Sequence, residues 1–247
     1  MSVVIEALKK YLARKEDLDV PEGNQPFVTL TRLDGLTSHE VARAIIARLD
    51  DMPDKGWNHG WELLDQQLCA WMVKAGHVPA TLETLVSEHY GETQLRQMFY
   101  EMLVGQSQQD ELRRKVGDVT RFLLKTGRTV VVGSAAAPEA LAIKGPGVRV
   151  RLIGSEAHRV ARMASAENLS IDAARKLIHT QDADRAKLLR EHYRREIDDP
   201  ALYDVTFHMD RLLPKEIARC IVELLVTRVE ACAKRQTLTT SHMVSLA

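Results

Sequence analysis

Arg159 and Arg162 stand three residues apart, as do Asp182 and Arg185, with Lys187 and Arg190 close behind. That spacing places both members of a pair on one face of a helix. Guanidinium forks arranged so suit the equatorial oxygens of a phosphoryl group in transfer. A second stretch with chemical content runs from Phe27 to Leu49. Its start, with Val28, Leu30 and the Thr29/Thr31 pair, reads as a strand. A turn at Asp34-Gly35 follows, and Thr37 or Ser38 can then cap a helix carrying Val41, Ala42, Ile45, Ile46 and Leu49 on one face. The start of such a helix offers free N–H groups to an anion. The glycine- and lysine-bearing pattern G-x-x-x-x-G-K-[ST] is nevertheless missing.

Other catalytic templates fail outright. G-x-S-x-G, H-E-x-x-H and G-x-G-x-x-G are all absent. Ser134, in Gly133-Ser-Ala-Ala-Ala137, follows a strand but has no nucleophile elbow around it. The nine histidines are scattered, and His158, His179 and His192 sit in helical surroundings that suit solvated side chains better than ligands. Cys69, Cys220 and Cys232 form no C-x-x-C and supply no zinc framework, so no metal site is expected.

Those residues need elements to hold them. At 247 residues, with 45% hydrophobic and 28% charged content, the chain can bury a full core as one domain. Aromatics are few, at 5%, and the 34 basic residues equal the 34 acidic ones, which argues against a whole-protein field for nucleic acid or membrane. Locally the balance tips. Lys144 to Arg195 carries twelve Lys/Arg against six Asp/Glu, readable as a solvated helical face or as an anion site. The sparse cysteines, the lack of a charged-then-apolar leader and the lack of an 18-residue apolar run predict a cytoplasmic protein with no membrane span.

Along the chain, an amphipathic helix is expected over residues 1–18, then a linker to 25. After the first βα unit comes a polar loop over 50–60. Periodicity then predicts helices over 61–75, 81–90, 92–104 and from Ser107 to about Leu123. The run Thr129–Gly133 reads as a buried parallel strand, and Val148–Ile153 as a second in which Val148, Val150 and Leu152 alternate with Arg149 and Arg151. Helices follow over 155–166, 170–178 and 183–192, then a short strand over 203–207 and a closing helix over 214–234. Residues 236–247 are expected to be a flexible tail. Strands separated by helices imply a parallel sheet covered on both faces.

Taken together, Thr129–Gly133, Val148–Ile153, Arg159-x-x-Arg162, Asp182-x-x-Arg185 and the ending Asp199-Pro-Ala-Leu-Tyr203-Asp204…Asp210-Arg-Leu resemble the cytidylate kinase-like family, relatives of the P-loop nucleoside monophosphate kinases. The resemblance spans roughly residues 26 to 230. It implies an α/β, P-loop nucleoside-monophosphate-kinase-like three-layer fold, its central parallel sheet flanked by helices. One domain over 26–235 would carry a helical acceptor-side region at about 57–127 and a lid at about 179–197.

The family's first loop runs approximately S-R-x-x-G-S-G-G-R-x-[IV]-A. Thr31-Arg32-Leu33-Asp34-Gly35 and Glu40-Val41-Ala42 fit it, while Leu36-Thr37-Ser38-His39 replaces S-G-G-R. Glycines there let backbone N–H groups approach phosphate, and β-branched Thr37 resists those conformations. His39 stands where a permanent cation is expected. The family's G-R-G after the 129–133 strand becomes Gly133-Ser134-Ala135, removing an arginine from the acceptor side. By resemblance, Arg162 and Arg185 would be the catalytic arginines. Arg32, Gly35, Thr37, Ser38, His39, Arg159 and Asp182 would hold the nucleotide, with Mg-ATP as the implied cofactor.

Three functions follow as expectations. The first is a degenerate cytidylate kinase-like protein, weak or inactive, kept as a nucleotide- or anion-binding or interaction module. The second is a working kinase moving the ATP γ-phosphoryl to CMP or a related acceptor. The third, ranked last, is a nucleic-acid-binding surface on the basic helices. A protein partner or a homodimer is left open by all three.

Overall fold

The computed structural model of the chain describes residues 25–65 and 107–244. Its centre is β1 (Phe27–Arg32), flanked in a five-stranded sheet of order β2-β3-β1-β4-β5 in which every pairing is parallel. The other strands are β2 (Glu62–Asp65), β3 (Thr129–Val132), β4 (Gly147–Ile153) and β5 (Val205–His208). The helices are α1 (Ser38–Asp50), α2 (Ser107–Thr126), α3 (Ala136–Ala140), α4 (Glu156–Glu167), α5 (Ile171–Leu188) and α6 (Pro214–Val244).

Strand alternation sorts the core into layers. Val28 and Leu30 of β1, Val130 and Val132 of β3, and Val148, Val150 and Leu152 of β4 share one face. They bury it against Val41, Ala42, Ile45 and Leu49 of α1 and Ile217, Ile221, Val222 and Leu225 of α6. Each such valine, leucine or isoleucine contributes about 1.5–3 kcal/mol by leaving water. Phe27 and Val131 point the other way, into a cluster with Leu64, Val119, Leu123, Leu124, Ala136 and Ala140. The result is a three-layer α/β fold.

The second face also carries polar side chains. Thr29, Thr31 and Arg151 are all buried there. The Arg151 guanidinium donates to the Ile197 carbonyl and pairs with Asp198, and it lies 5.4 Å from the centroid of the Tyr203 ring. A buried cation must be paired to be tolerated. The Arg149/Arg151 alternation therefore marks not a solvent-facing side but a second interior one, with its own acceptors.

Three expectations change. The helix expected from Trp61 is, over its described part, strand β2, paired with β3 from Glu62↔Thr129 to Asp65↔Val132. Leu63 packs on one cluster and Leu64 on the other, so neighbouring leucines serve opposite faces, as a strand requires. The helices expected over 170–178 and 183–192 are one continuous α5, ending in a π-turn over Leu189–Tyr193. No glycine or proline interrupts it, and the Thr180 hydroxyl donates to the Lys176 carbonyl across the expected gap. The tail expected after Arg235 continues as helix to Val244. The helices expected over 1–18, 81–90 and 92–104 lie outside the described residues, as does most of the acceptor-side region. Among the described residues no helix is long and apolar enough to cross a membrane.

Candidate functional site

Ligands of open parallel sheets bind beyond the carboxyl ends of the strands. Here that edge is formed by the loop from β1 to α1 and by the start of α4. Leu33 extends the β1–β4 ladder by donating to the Leu152 carbonyl at 3.1 Å. Asp34, Gly35 and Leu36 then turn inward and are buried. Gly35 takes φ +82°, and a Cβ there would come within 2.8 Å of the Arg159 carbonyl oxygen. The loop is thus pressed onto the backbone of α4.

Helix α1 opens at Ser38 with Thr37 in the N-cap position, but the Thr37 side chain makes no cap hydrogen bond. The Ser38 hydroxyl is buried without a partner. Arg32, at the end of β1, and His39, in the first turn of α1, flank the loop and are half-buried. Helix α4 is capped by the Ser155 hydroxyl, which accepts from the His158 N–H. The Ser155 N–H donates to Asp210, and hydrogen bonding by the Ser155 side chain, together with that N–H, holds the Asp210 carboxyl below its usual range. Val160, Ala174 and Ile178 pack α4 on α5 and fix the arginines of both helices over the loop.

The convergence is tight. Arg159 donates through Nη1 to the Asp34 carbonyl at 3.1 Å and to Asp182 Oδ2 at 2.5 Å. Arg162 Nε donates to the Gly35 carbonyl at 2.5 Å. Arg185 Nη2 reaches Asp34 Oδ1 at 2.8 Å, and its Nη1 lies 3.4 Å from Asp182 Oδ1. Asp182 Oδ1 also accepts the Asp34 N–H at 2.7 Å. Gly35, Arg159, Arg162, Asp182 and Arg185 therefore meet in one cluster, with Thr37 and Ser38 at its edge. The member that sequence reasoning missed as a site residue is Asp34. An acidic residue inside a loop expected to hold an anion was the available signal.

At its far end α5 is tied to the core by another cluster. The Tyr193 hydroxyl donates to Glu139 at 2.8 Å, and Arg121 donates to the same buried carboxylate at 2.9 Å. Burial, reinforced by the Glu139 charge, pushes the Tyr193 hydroxyl far above its ordinary value. Ser134, just after β3, is buried next to α3.

Part of the basic excess counted from Lys144 to Arg195 is met by carboxylates. Arg149 pairs with Asp204, Arg190 with Glu196 and Arg195 with Asp199. Those partners lie just beyond the end of the counted segment. Among the described residues no cluster of His, Cys, Asp and Glu is placed to hold a metal, and Cys220 and Cys232 form no disulfide.

The five-stranded parallel sheet of this order, with helices on both faces, is a P-loop nucleoside-monophosphate-kinase-like fold, and arginines from two helices close on its first βα loop. The profile of the cytidylate kinase-like family matches residues 57–211, well over half of the chain, and the protein belongs to that family. The matched segment contains Arg159, Arg162, Asp182 and Arg185 and begins downstream of the β1–α1 loop. A cytidylate kinase from Thermoplasma acidophilum is 31% identical over 70 residues, 28% of this chain and 37% of that enzyme, so the match spans little more than a third of its length. An uncharacterized protein from Eubacterium ventriosum shares the fold at a TM-score of 0.57 and 12% identity, over 81% of this chain and 98% of that one. A shikimate kinase from Bacteroides thetaiotaomicron superposes at a TM-score of 0.44 and 14% identity, over 81% and 97% of the two chains.

Proposed function

We propose that this protein is a degenerate cytidylate kinase-like module that holds a nucleotide or another phosphate-like anion and transfers phosphoryl groups weakly or not at all. One observation carries the reading. The β1–α1 loop turns carbonyl oxygens, those of Asp34 and Gly35, toward Arg159 and Arg162. A loop that cradles phosphate must offer N–H groups instead. The cations meant for a ligand are engaged by acceptors of the protein itself.

Mg-ATP fits this arrangement poorly. Asp34 and Asp182, the carboxylates of the cluster, are each bound to arginines and so are not free as magnesium ligands. The loop cation is replaced by His39, and Ser134 replaces the acceptor-side arginine. Losing one charge-stabilising contact commonly costs about 10²–10³ in rate, so two such losses take a kinase of about 1–100 s⁻¹ far below one turnover per second.

A coupled assay with Mg-ATP and CMP, dCMP or UMP tests this. Turnover well under about 1 s⁻¹ is expected with every acceptor. Turnover at or above that value with any of them would replace this reading with that of a working nucleoside monophosphate kinase.

A further inference from the structure

The arginine cluster already contains an anion, and it is a side chain of the loop itself. All three polar groups of Asp34 are drawn into it. The carboxylate accepts from Arg185, the carbonyl accepts from Arg159, and the N–H donates to Asp182. Asp34 is only 6% exposed. A loop aspartate without such a role turns its charge to water.

We propose that the Asp34 carboxylate is a built-in plug, seated where a ligand phosphate would lie, and that the site admits only ligands able to displace it, namely polyphosphate chains. This rests on the reading of the loop and arginines as an anion site. Two observations support the plug. First, the fit is incomplete. Asp34 Oδ2 and Arg159 Nε are both buried without a hydrogen-bond partner, so a donor and an acceptor in one cluster fail to meet. Buried polar atoms are normally satisfied, and a phosphate chain brings more oxygens than a carboxylate has. Second, the charges are graded. Arg159, Arg162 and Arg185 face Asp34 and Asp182, which leaves one net positive charge. Swinging Asp34 out leaves two. A monoanion gains little from that exchange, whereas a chain carrying several charges gains from every added guanidinium.

Isothermal titration with metal-free inorganic tripolyphosphate, and in parallel with metal-free ATP, tests the plug on the full chain, its fold checked by circular dichroism. Asp34→Asn removes the charge at nearly constant shape, and Asp34→Ser is the second variant should the first not fold. Tripolyphosphate is expected to bind the variant at least tenfold more tightly than it binds the wild type. Equal gains for both ligands assign the site to the phosphate chain alone, and a larger gain for ATP assigns it to a nucleotide. If the wild type binds tripolyphosphate and the variants bind it no better, the plug is wrong while the anion site stands. If none of the proteins binds either ligand at millimolar concentration, the anion reading fails and the plug with it. Should both variants unfold, the wild type decides by NMR. The Arg185 guanidinium resonances must shift with tripolyphosphate beyond their shift in sodium chloride of equal ionic strength, and their failure to do so overturns the proposal.

Discussion

Replacing Asp204 by alanine is expected to remove about 3 kcal/mol of stability and to lower the melting temperature by about 6–12 °C. The carboxylate is 11% exposed and holds two arginines at once. It accepts from the Arg149 backbone N–H at 2.8 Å, from Arg149 Nη2 at 2.9 Å and from Arg228 Nη1 at 2.9 Å. Arg228 in turn donates to the Gly147 carbonyl. One side chain thus joins β4, the start of β5 and α6. Its loss leaves two guanidiniums facing each other, which is costlier than never having built the pair. The figure sits at the low end of the range for buried pairs because Arg228 is 35% exposed and can recover some hydration. Adding Arg149→Met to Asp204→Ala should restore part of the loss, and additive effects would show that the two groups are not coupled.

The same residue sets an acid limit. Burial alone would raise the Asp204 carboxyl, but hydrogen bonds from Arg228 and Arg149 more than reverse this and hold it well below the usual carboxylate range. A folded-state value below the unfolded one means that the unfolded chain binds the extra proton. The contribution is therefore fully present above the unfolded pKa of about 4 and is lost as pH falls from there toward the folded value. Chemical denaturation of wild type and Asp204→Asn should differ by a constant amount from pH 7 to about 4, with the gap narrowing toward pH 2. A gap of constant width over the whole range would show that the ionised carboxylate is not the source.

Much of this fold was legible because its signals are local. The β-branched runs at Val28–Thr31 and Thr129–Val132, and Ser155 just ahead of α4, place β1, β3 and the helix carrying two site arginines. What was illegible depends on distant neighbours. Strand β2 exists because β3 presents a free edge to it, and four residues with two adjacent leucines carry no period of their own. The alternation sets Arg151 on the face opposite Val150, but what that face meets is decided by Ile197, Asp198 and Tyr203, which fold over it from some fifty positions later. The site divides in the same way. The arginine and aspartate pairs at three-residue spacing could be read from two helical turns. Asp34 takes its meaning from Asp182, 148 positions later, and no window of sequence contains both.

Gly35→Ala is the second large effect, and its size can be split into parts. An alanine at φ +82° meets the left-handed penalty of about 1–2 kcal/mol. It also meets α4. The new Cβ would lie 2.8 Å from the Arg159 carbonyl oxygen, 3.1 Å from Arg159 Cβ and 3.2 Å from its carbonyl carbon. Two of those atoms are backbone and cannot swing aside, so overpacking adds about 1–3 kcal/mol, for a total near 3. Gly56 supplies the control. It has φ +78°, almost the same backbone conformation, with nothing within 4 Å of its would-be Cβ. Gly56→Ala should therefore cost only the left-handed term, about 1 kcal/mol. Lifting the loop also breaks the bonds from Arg159 to the Asp34 carbonyl and from Arg162 to the Gly35 carbonyl. Faster hydrogen exchange over 33–39 should then accompany the loss of stability in Gly35→Ala and be absent in Gly56→Ala. If the two variants melt together, the loop is not held by its contact with α4. The glycine would then serve the turn alone, and the arginines would have to keep the loop in place without that packing.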